Sequence, residues 1–217
     1  MAVSARCLRV VDVSEHGYFI AFEGGDGAGK STQVGHLVEA LEAAGREVVV
    51  TRQPGGTSLG AALRDLVLHG EAITPRAEAL IFAADKAQHV QEVILPSLAR
   101  GAVVVTDRYT DSSVAYQGAG RSLGAEEVAD LQTWAVGGLA PDLTVLVDVD
   151  PATGRARRGG THDRMESEAD GFHAAVREHF LAMAAAAPER YLVVDGGAPA
   201  YEIAAAVRAR LADEGLL

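Results

Sequence analysis

The sequence predicts an α/β protein, a three-layer sandwich in which a five-stranded parallel sheet carries helices on both faces. Three observations lead there. Short, continuous apolar runs rich in valine alternate with segments of helical periodicity. Strands that are apolar throughout need cover on both faces, as in a parallel sheet with crossover helices. A glycine-rich run also follows the first apolar run and precedes a helical pattern.

Residues 1–17 read as an N-terminal extension ahead of a single domain at 18–217. Residues 8–13 have strand composition, which 14–17 interrupt. The first sheet strand is 18–22. A helix at 33–44 follows, with Val34, Leu37, Val38 and Leu41 on one face, and Gly45 stops it. Strand 48–51 and helix 58–69 come next. Thr74 and Pro75 open a long helix to about residue 100, with Glu78 near its start. Strand 102–106 precedes a helix at 125–136 that should turn Val128, Leu131 and Trp134 inward. After strand 143–147, Asp150 and Pro151 start a short helix toward Arg158. A helix at 166–187, a strand at 191–194 and a helix at 201–211 close the chain.

Composition excludes several function classes. The 217 residues carry a formal net charge of -11, which argues against a nucleic-acid surface. No apolar run approaches a membrane span. The single cysteine, Cys7, cannot form an internal disulfide, so a cytoplasmic setting is expected. Zinc-ligand spacing is absent, and His69, His89, His162, His173 and His179 read as surface or core. Lys30 and Lys86 are the only lysines. If an acidic molecule handles anions, its cations must converge in one cleft.

The strongest local signal is Gly24-Gly25-Asp26-Gly27-Ala28-Gly29-Lys30-Ser31, which matches G-x-x-x-x-G-K-[ST]. Its amides can cradle polyphosphate, Lys30 can reach the β- and γ-phosphates, and the Ser31 hydroxyl can ligate Mg²⁺. The helix N-terminus adds positive potential. The fold is therefore of the P-loop NTPase type. No asparagine occurs in the chain, so the N-K-x-D guanine motif of GTPases is missing. Strand 102–106 leads into Asp107-Arg108-Tyr109.

Four stretches in order resemble the bacterial thymidylate kinases: residues 23–32; Thr51-Arg52-Gln53-Pro54-Gly55-Gly56-Thr57; Asp107-Arg108-Tyr109 through Tyr116-Gln117-Gly118; and Asp163-Arg164-Met165-Glu166. The resemblance implies transfer of the ATP γ-phosphate to dTMP with Mg²⁺. Phosphoryl transfer rests mainly on positioning and charge neutralisation. A phosphate monoester acceptor is largely dianionic near neutral pH, so a general base is not required. The problem is the meeting of two anions, which arginines and Mg²⁺ solve.

The resemblance implies roles residue by residue. Gly24, Gly25, Asp26, Gly27, Ala28, Gly29, Lys30 and Ser31 hold ATP. Ser31 and Asp107 serve the metal, and Asp107 fixes Arg108. Arg52 and Arg108 grip the acceptor phosphate, since a planar fork matches phosphate oxygens. Asp26 contacts the sugar 3′-hydroxyl, and Tyr116 disfavours a ribose. Phe82 stacks on thymine, with Ser113, Gln117 and Lys86 near the base edge. Residues 155–165 resemble a mobile lid that brings an arginine to ATP. Arg155, Arg157 and Arg158 all qualify; Arg158 is favoured as catalytic, with Arg155 and Arg164 as further ATP contacts. The loop at 195–197 lies where adenine rests. Gln53 replaces the family's usual glutamate, and Lys86 its usual arginine. The family also implies a homodimer through apolar helix faces after residues 75 and 125.

Overall fold

The computed structural model describes residues 17–158 and 163–217. The expected extension lies outside these residues except for Gly17, and so does the strand at 8–13. The middle of the expected lid, residues 159–162, lies outside them too.

Five strands form the sheet: β1 (Tyr18–Glu23), β2 (Val48–Arg52), β3 (Val103–Asp107), β4 (Leu143–Asp148) and β5 (Tyr191–Asp195). All pair in parallel, in the order β2-β3-β1-β4-β5. Alternation along β1 builds both cores at once. Ile20 and Phe22 point to one face, where Leu37, Leu41, Val207 and Leu211 pack. Phe19 and Ala21 point to the other, against Val90, Ile94, Tyr109 and Val136. Farther along that face, Leu146 and Tyr191 join Tyr116, Phe172, Val176 and Phe180.

The helices are α1 (Lys30–Ala43), α2 (Ser58–His69), α3 (Pro75–His89), α4 (Leu95–Ala99), α5 (Thr110–Ser113), α6 (Ala125–Ala135), α7 (Pro151–Arg157), α8 (Asp170–Ala186) and α9 (Ala200–Asp213). Caps explain several starts. Thr57 accepts from Gly60 N, Thr74 from Ala77 N, and Asp150 from the amides of Ala152 and Thr153. The expected helix 74–100 is one rod with a π-helical turn at Val90–Ile94 between α3 and α4. That turn sits just before Pro96, whose missing N–H removes a ladder bond. A second π-helical stretch, Val114–Gly120, follows α5; the sequence did not signal it.

Two expectations are corrected. Trp134 is 82% exposed rather than inward. α6 buries Val128 and Gln132, and Trp134 lies about 200° around the helix from Gln132. The helix expected from residue 166 begins at Asp170. Asp163 Oδ1 instead accepts from Met165 N at 2.8 Å and Glu166 N at 2.9 Å, closing a separate turn. No helix among the described residues is long and apolar enough to cross a membrane.

Candidate active site

The site lies at the carboxyl ends of β1, β2 and β3, where parallel α/β sheets bind ligands. Register places Phe22 and Arg52 on either side of Asp107. The loop between β1 and α1 must turn sharply against α7. Gly27 has φ +77°, and a Cβ there would stand 2.1 Å from Gly154 O. A side chain would therefore strain the backbone and collide with it. Lys30 folds over this loop and donates to Gly24 O (3.1 Å) and Gly25 O (2.9 Å). Burial, then the Arg108 charge, pushes its pKa below the usual lysine range.

Arg108 is the hub. Its backbone has φ +70°, uncommon for a side chain with a Cβ. Nη1 donates to Gly24 O and to Ser112 Oγ, both at 3.0 Å. Nη2 pairs with Asp26 Oδ1 and donates to Tyr116 Oη at 3.3 Å. Tyr116 Oη in turn donates to Asp26 Oδ2 at 3.0 Å. Burial would push the Asp26 carboxyl up, but Arg108 and Lys30 outweigh it and hold Asp26 well below the carboxylate range. Beneath this hub, buried Glu23 accepts from the amides of Tyr109 (2.8 Å) and Ser112 (3.1 Å) and from the Ser112 hydroxyl (2.5 Å). These bonds fix the start of the segment that carries Arg108 and Tyr116.

Two spaces meet at Arg108. The first is a cavity of about 100 Å³ lined by Pro54, Leu68, Phe82, Lys86, Ser113, Tyr116, Gln117 and Met165. Lys86 Nζ donates to Ser113 Oγ at 2.8 Å and lies 5.4 Å from the Phe82 ring centroid. Burial pushes Lys86 down to about 8. Gln117 Nε2 donates to buried Glu78 at 2.9 Å. The second space is an open cleft of about 740 Å³ that runs along residues 26–33 past Asp107 and Arg157 to Gly196, Ala198 and Ile203. Asp26, Gln53, Arg64, Arg108 and Asp163 line both.

Most of the expected residues gather here. Gly27, Ala28, Gly29, Lys30, Ser31, Arg52, Asp107 and Arg158 border the cleft, and Phe82, Lys86, Ser113, Tyr116 and Gln117 border the cavity. Gly24 and Gly25 present their carbonyls to Lys30. Arg158 lies 3.6 Å from Glu166, and its Nε and Nη1 are buried without a hydrogen-bond partner. Arg155 and Arg164 turn elsewhere: Arg155 pairs with Asp170 at the surface, and Arg164 reaches Glu78 at 3.3 Å. Arg157 borders the cleft and donates to Gly196 O at 2.7 Å.

The residues suit Mg²⁺. Asp107 Oδ1 is buried without a hydrogen-bond partner, and Ser31 lines the same cleft. One carboxylate and one hydroxyl match an ion that keeps water and phosphate oxygens for its other positions. Among the described residues, no three His, Cys, Asp or Glu side chains group to hold a metal unaided.

Sequence reasoning read His89 as surface or core and missed its contacts. It is fully buried, with Nδ1 2.6 Å from Gln53 Nε2 and Nε2 2.6 Å from Thr51 Oγ1. Its signal was available: Phe82, Lys86 and His89 follow helical spacing on one face of α3. Asp85, on the same helix, accepts from Gly55 N at 3.1 Å. Arg64 was also overlooked, and so was Glu23, whose partners Tyr109 and Ser112 lie far away in sequence.

The fold and this paired site define a P-loop phosphotransferase with two adjoining ligand spaces. The family model for thymidylate kinase matches residues 22–207. The chain is 59% identical over 198 residues to a thymidylate kinase of Clavibacter sepedonicus, covering 89% of this chain and 94% of the relative. A thymidylate kinase of Bifidobacterium longum (strain NCC 2705) is 56% identical over 185 residues, 83% of this chain and 90% of the relative. One from Synechococcus sp. (strain JA-3-3Ab) is 49% identical over 189 residues, 87% and 92%. The chain belongs to the thymidylate kinase family.

Proposed function

We propose that the protein transfers the γ-phosphate of ATP to dTMP, giving dTDP for dTTP synthesis. The observation that carries this reading is the shared mouth, where a partly aromatic cavity opens beside the phosphate-binding loop at Asp26 and Arg108. Thymine enters the cavity against Phe82, with Lys86, Ser113 and Gln117 at its edge. The monophosphate then lies at the mouth, within reach of Arg52 and Arg108. ATP lies along the cleft, its phosphates on the amides of residues 24–31 and on Lys30, its adenine toward residues 195–198.

The chain's own groups position and neutralise. Asp26 orients Arg108 and receives the sugar 3′-hydroxyl. The Tyr116 ring closes the space a ribose 2′-hydroxyl would need. Arg158 shields charge on the transferring phosphoryl group, as a group aimed at developing charge lowers the barrier. Arg157 is a further ATP contact. Ser31 and Asp107 hold Mg²⁺, which supplies charge neutralisation and alignment of the phosphates.

The catalytic unit is residues 18–217, with 155–165 as its lid, in the cytoplasm. The assembly is a homodimer: Leu66 on α2, Leu80 on α3 and Trp134 on α6 are 48%, 57% and 82% exposed, and apolar exposure of this kind favours association. Sedimentation equilibrium checks the dimer. The activity is tested by coupled ADP release with dTMP, dUMP, CMP, UMP and AMP. ADP formation fastest with dTMP supports the reading. A preference for CMP, UMP or AMP would assign a different acceptor, and no ADP with any of them would remove the kinase.

A further inference from the structure

We propose that Glu78 is a positioning residue for base selection. It fixes the Gln117 amide so that its carbonyl, not its NH2, is the end offered to the base. This inference rests on the reading of the cavity as a nucleoside monophosphate site.

Glu78 lies in the first turn of α3 and is buried, as is Gln117. Both of its carboxylate oxygens are occupied by donors. Oε1 accepts from Gln117 Nε2 at 2.9 Å and from Arg121 Nε at 3.1 Å. Oε2 accepts from Arg121 Nη2 at 3.2 Å and from Arg164 Nη2 at 3.3 Å. A carboxylate only accepts, so the end of the Gln117 amide that meets it is the NH2. Oε1 of Gln117 is the opposite end, and among the described residues nothing donates to it. Gln117 lines the base cavity, so the group it keeps for a ligand is an acceptor. Lys86 lines the same cavity. Its ammonium donates to Ser113 Oγ at 2.8 Å and to Phe82 O at 3.4 Å, and its third proton is left for a ligand.

The cavity edge therefore offers one acceptor and one donor. Thymine and uracil answer with N3–H, a donor, and O4, an acceptor. Cytosine reverses both, with N3 accepting and N4–H₂ donating. A Gln117 amide free to turn would offer NH2 and accommodate cytosine as well. Glu78 removes that option, so it acts on the difference between two acceptors. The Arg121 fork already ties α3 to the segment at residue 121; the bond to Gln117 is the part that reaches the cavity.

The test is steady-state kcat/KM of the full-length protein for dTMP, dUMP and dCMP in wild type, Glu78→Gln, Gln117→Leu and the double variant. Glu78→Gln keeps the side chain's size but adds a donor, so Gln117 is no longer held one way. The preference for dTMP over dCMP should narrow about tenfold or more, the scale of one buried polar group relieved of a mismatch. The dTMP to dUMP ratio should stay within about twofold, because the two bases share that edge, and KM for ATP should hold. In the Gln117→Leu background, Glu78→Gln should leave the dTMP to dCMP ratio unchanged, as expected for two residues acting through one bond. A purely structural Glu78 would lower dTMP and dCMP together. That result, or the same narrowing without Gln117, would overturn the proposal. If Glu78→Gln does not fold, proton exchange of the Gln117 side-chain NH2 in wild type decides, with the signal assigned by its loss in Gln117→Leu. Slowed exchange both with and without dTMP is expected, and rapid exchange overturns the proposal. Wild type that phosphorylates dTMP and dCMP equally overturns it too. Failure of the underlying reading appears separately, as wild type that phosphorylates none of the three.

Discussion

Gln53 Nε2 and His89 Nδ1 stand 2.6 Å apart in a buried contact that ties the exit of β2 to α3. An amide nitrogen only donates, so Nδ1 accepts, and Nε2–H is left to donate to Thr51 Oγ1 at 2.6 Å. The imidazole is neutral in this arrangement, and a proton on Nδ1 would face the amide N–H groups. Burial and the Lys86 charge agree, pushing His89 down to about 4.

His89→Ala removes both bonds and leaves a hole beneath the end of β2, which carries Arg52. We expect a loss of about 2–4 kcal/mol in stability, measured by urea unfolding, and a rise in KM for dTMP larger than that for ATP.

The same contact sets a pH dependence. His89 in the unfolded chain titrates near about 6.5, whereas in the fold it titrates at about 4. Its folded pKa is depressed, so its contribution is fully present above the unfolded value and is lost as pH falls from about 6.5 toward about 4. Urea midpoints at pH 7.5 and pH 5 should drop more in wild type than in His89→Gln. Gln53→Glu, which supplies an acceptor to a protonated ring, should shrink the drop.

The strands were legible because each is a continuous apolar run, and α2, α3 and α7 because Thr57, Thr74 and Asp150 cap them. The phosphate loop was legible from its glycines and Lys30. What escaped depends on long-range contact. The Gln53–His89 bond spans 36 positions and the Glu23 bonds to Ser112 span 89, and no local pattern carries either. The turn at Asp163 was hidden by helix-favouring neighbours, and Trp134 by the usual burial of aromatic rings.

Lys86 predicts a second pH effect, on function. Its pKa of about 8 means that kcat/KM for dTMP, which reports free-enzyme ionisations, should decline as pH rises through about 8 and the charge at the base edge is lost. Lys86→Arg should remove that inflection, since arginine stays charged. A profile unchanged by the substitution would take Lys86 out of base recognition.

Tyr116 separates its ring from its hydroxyl. Tyr116→Phe keeps the ring, 5.1 Å from the Arg108 guanidinium carbon, and loses the bond to Asp26. We expect kcat/KM to fall about 3- to 30-fold, the scale of one hydrogen bond to a charged group, with the preference for deoxyribose over ribose retained. Tyr116→Ala should narrow that preference.

Arg108→Ala removes the hub. A loss of at least about 2 kcal/mol in transition-state stabilisation is expected from kcat/KM. The fold should survive, because the Tyr109 and Ser112 amides remain anchored on Glu23.

The central claim is that base cavity and phosphate cleft meet at Arg108 so that acceptor and donor are brought in line. A crystal structure with dTMP and a non-hydrolysable ATP analogue tests it most directly. The account predicts thymine against Phe82, the monophosphate within hydrogen-bond distance of Arg108 and Arg52, and the analogue's phosphates on residues 24–31. A dTMP phosphate bound away from both arginines would contradict it.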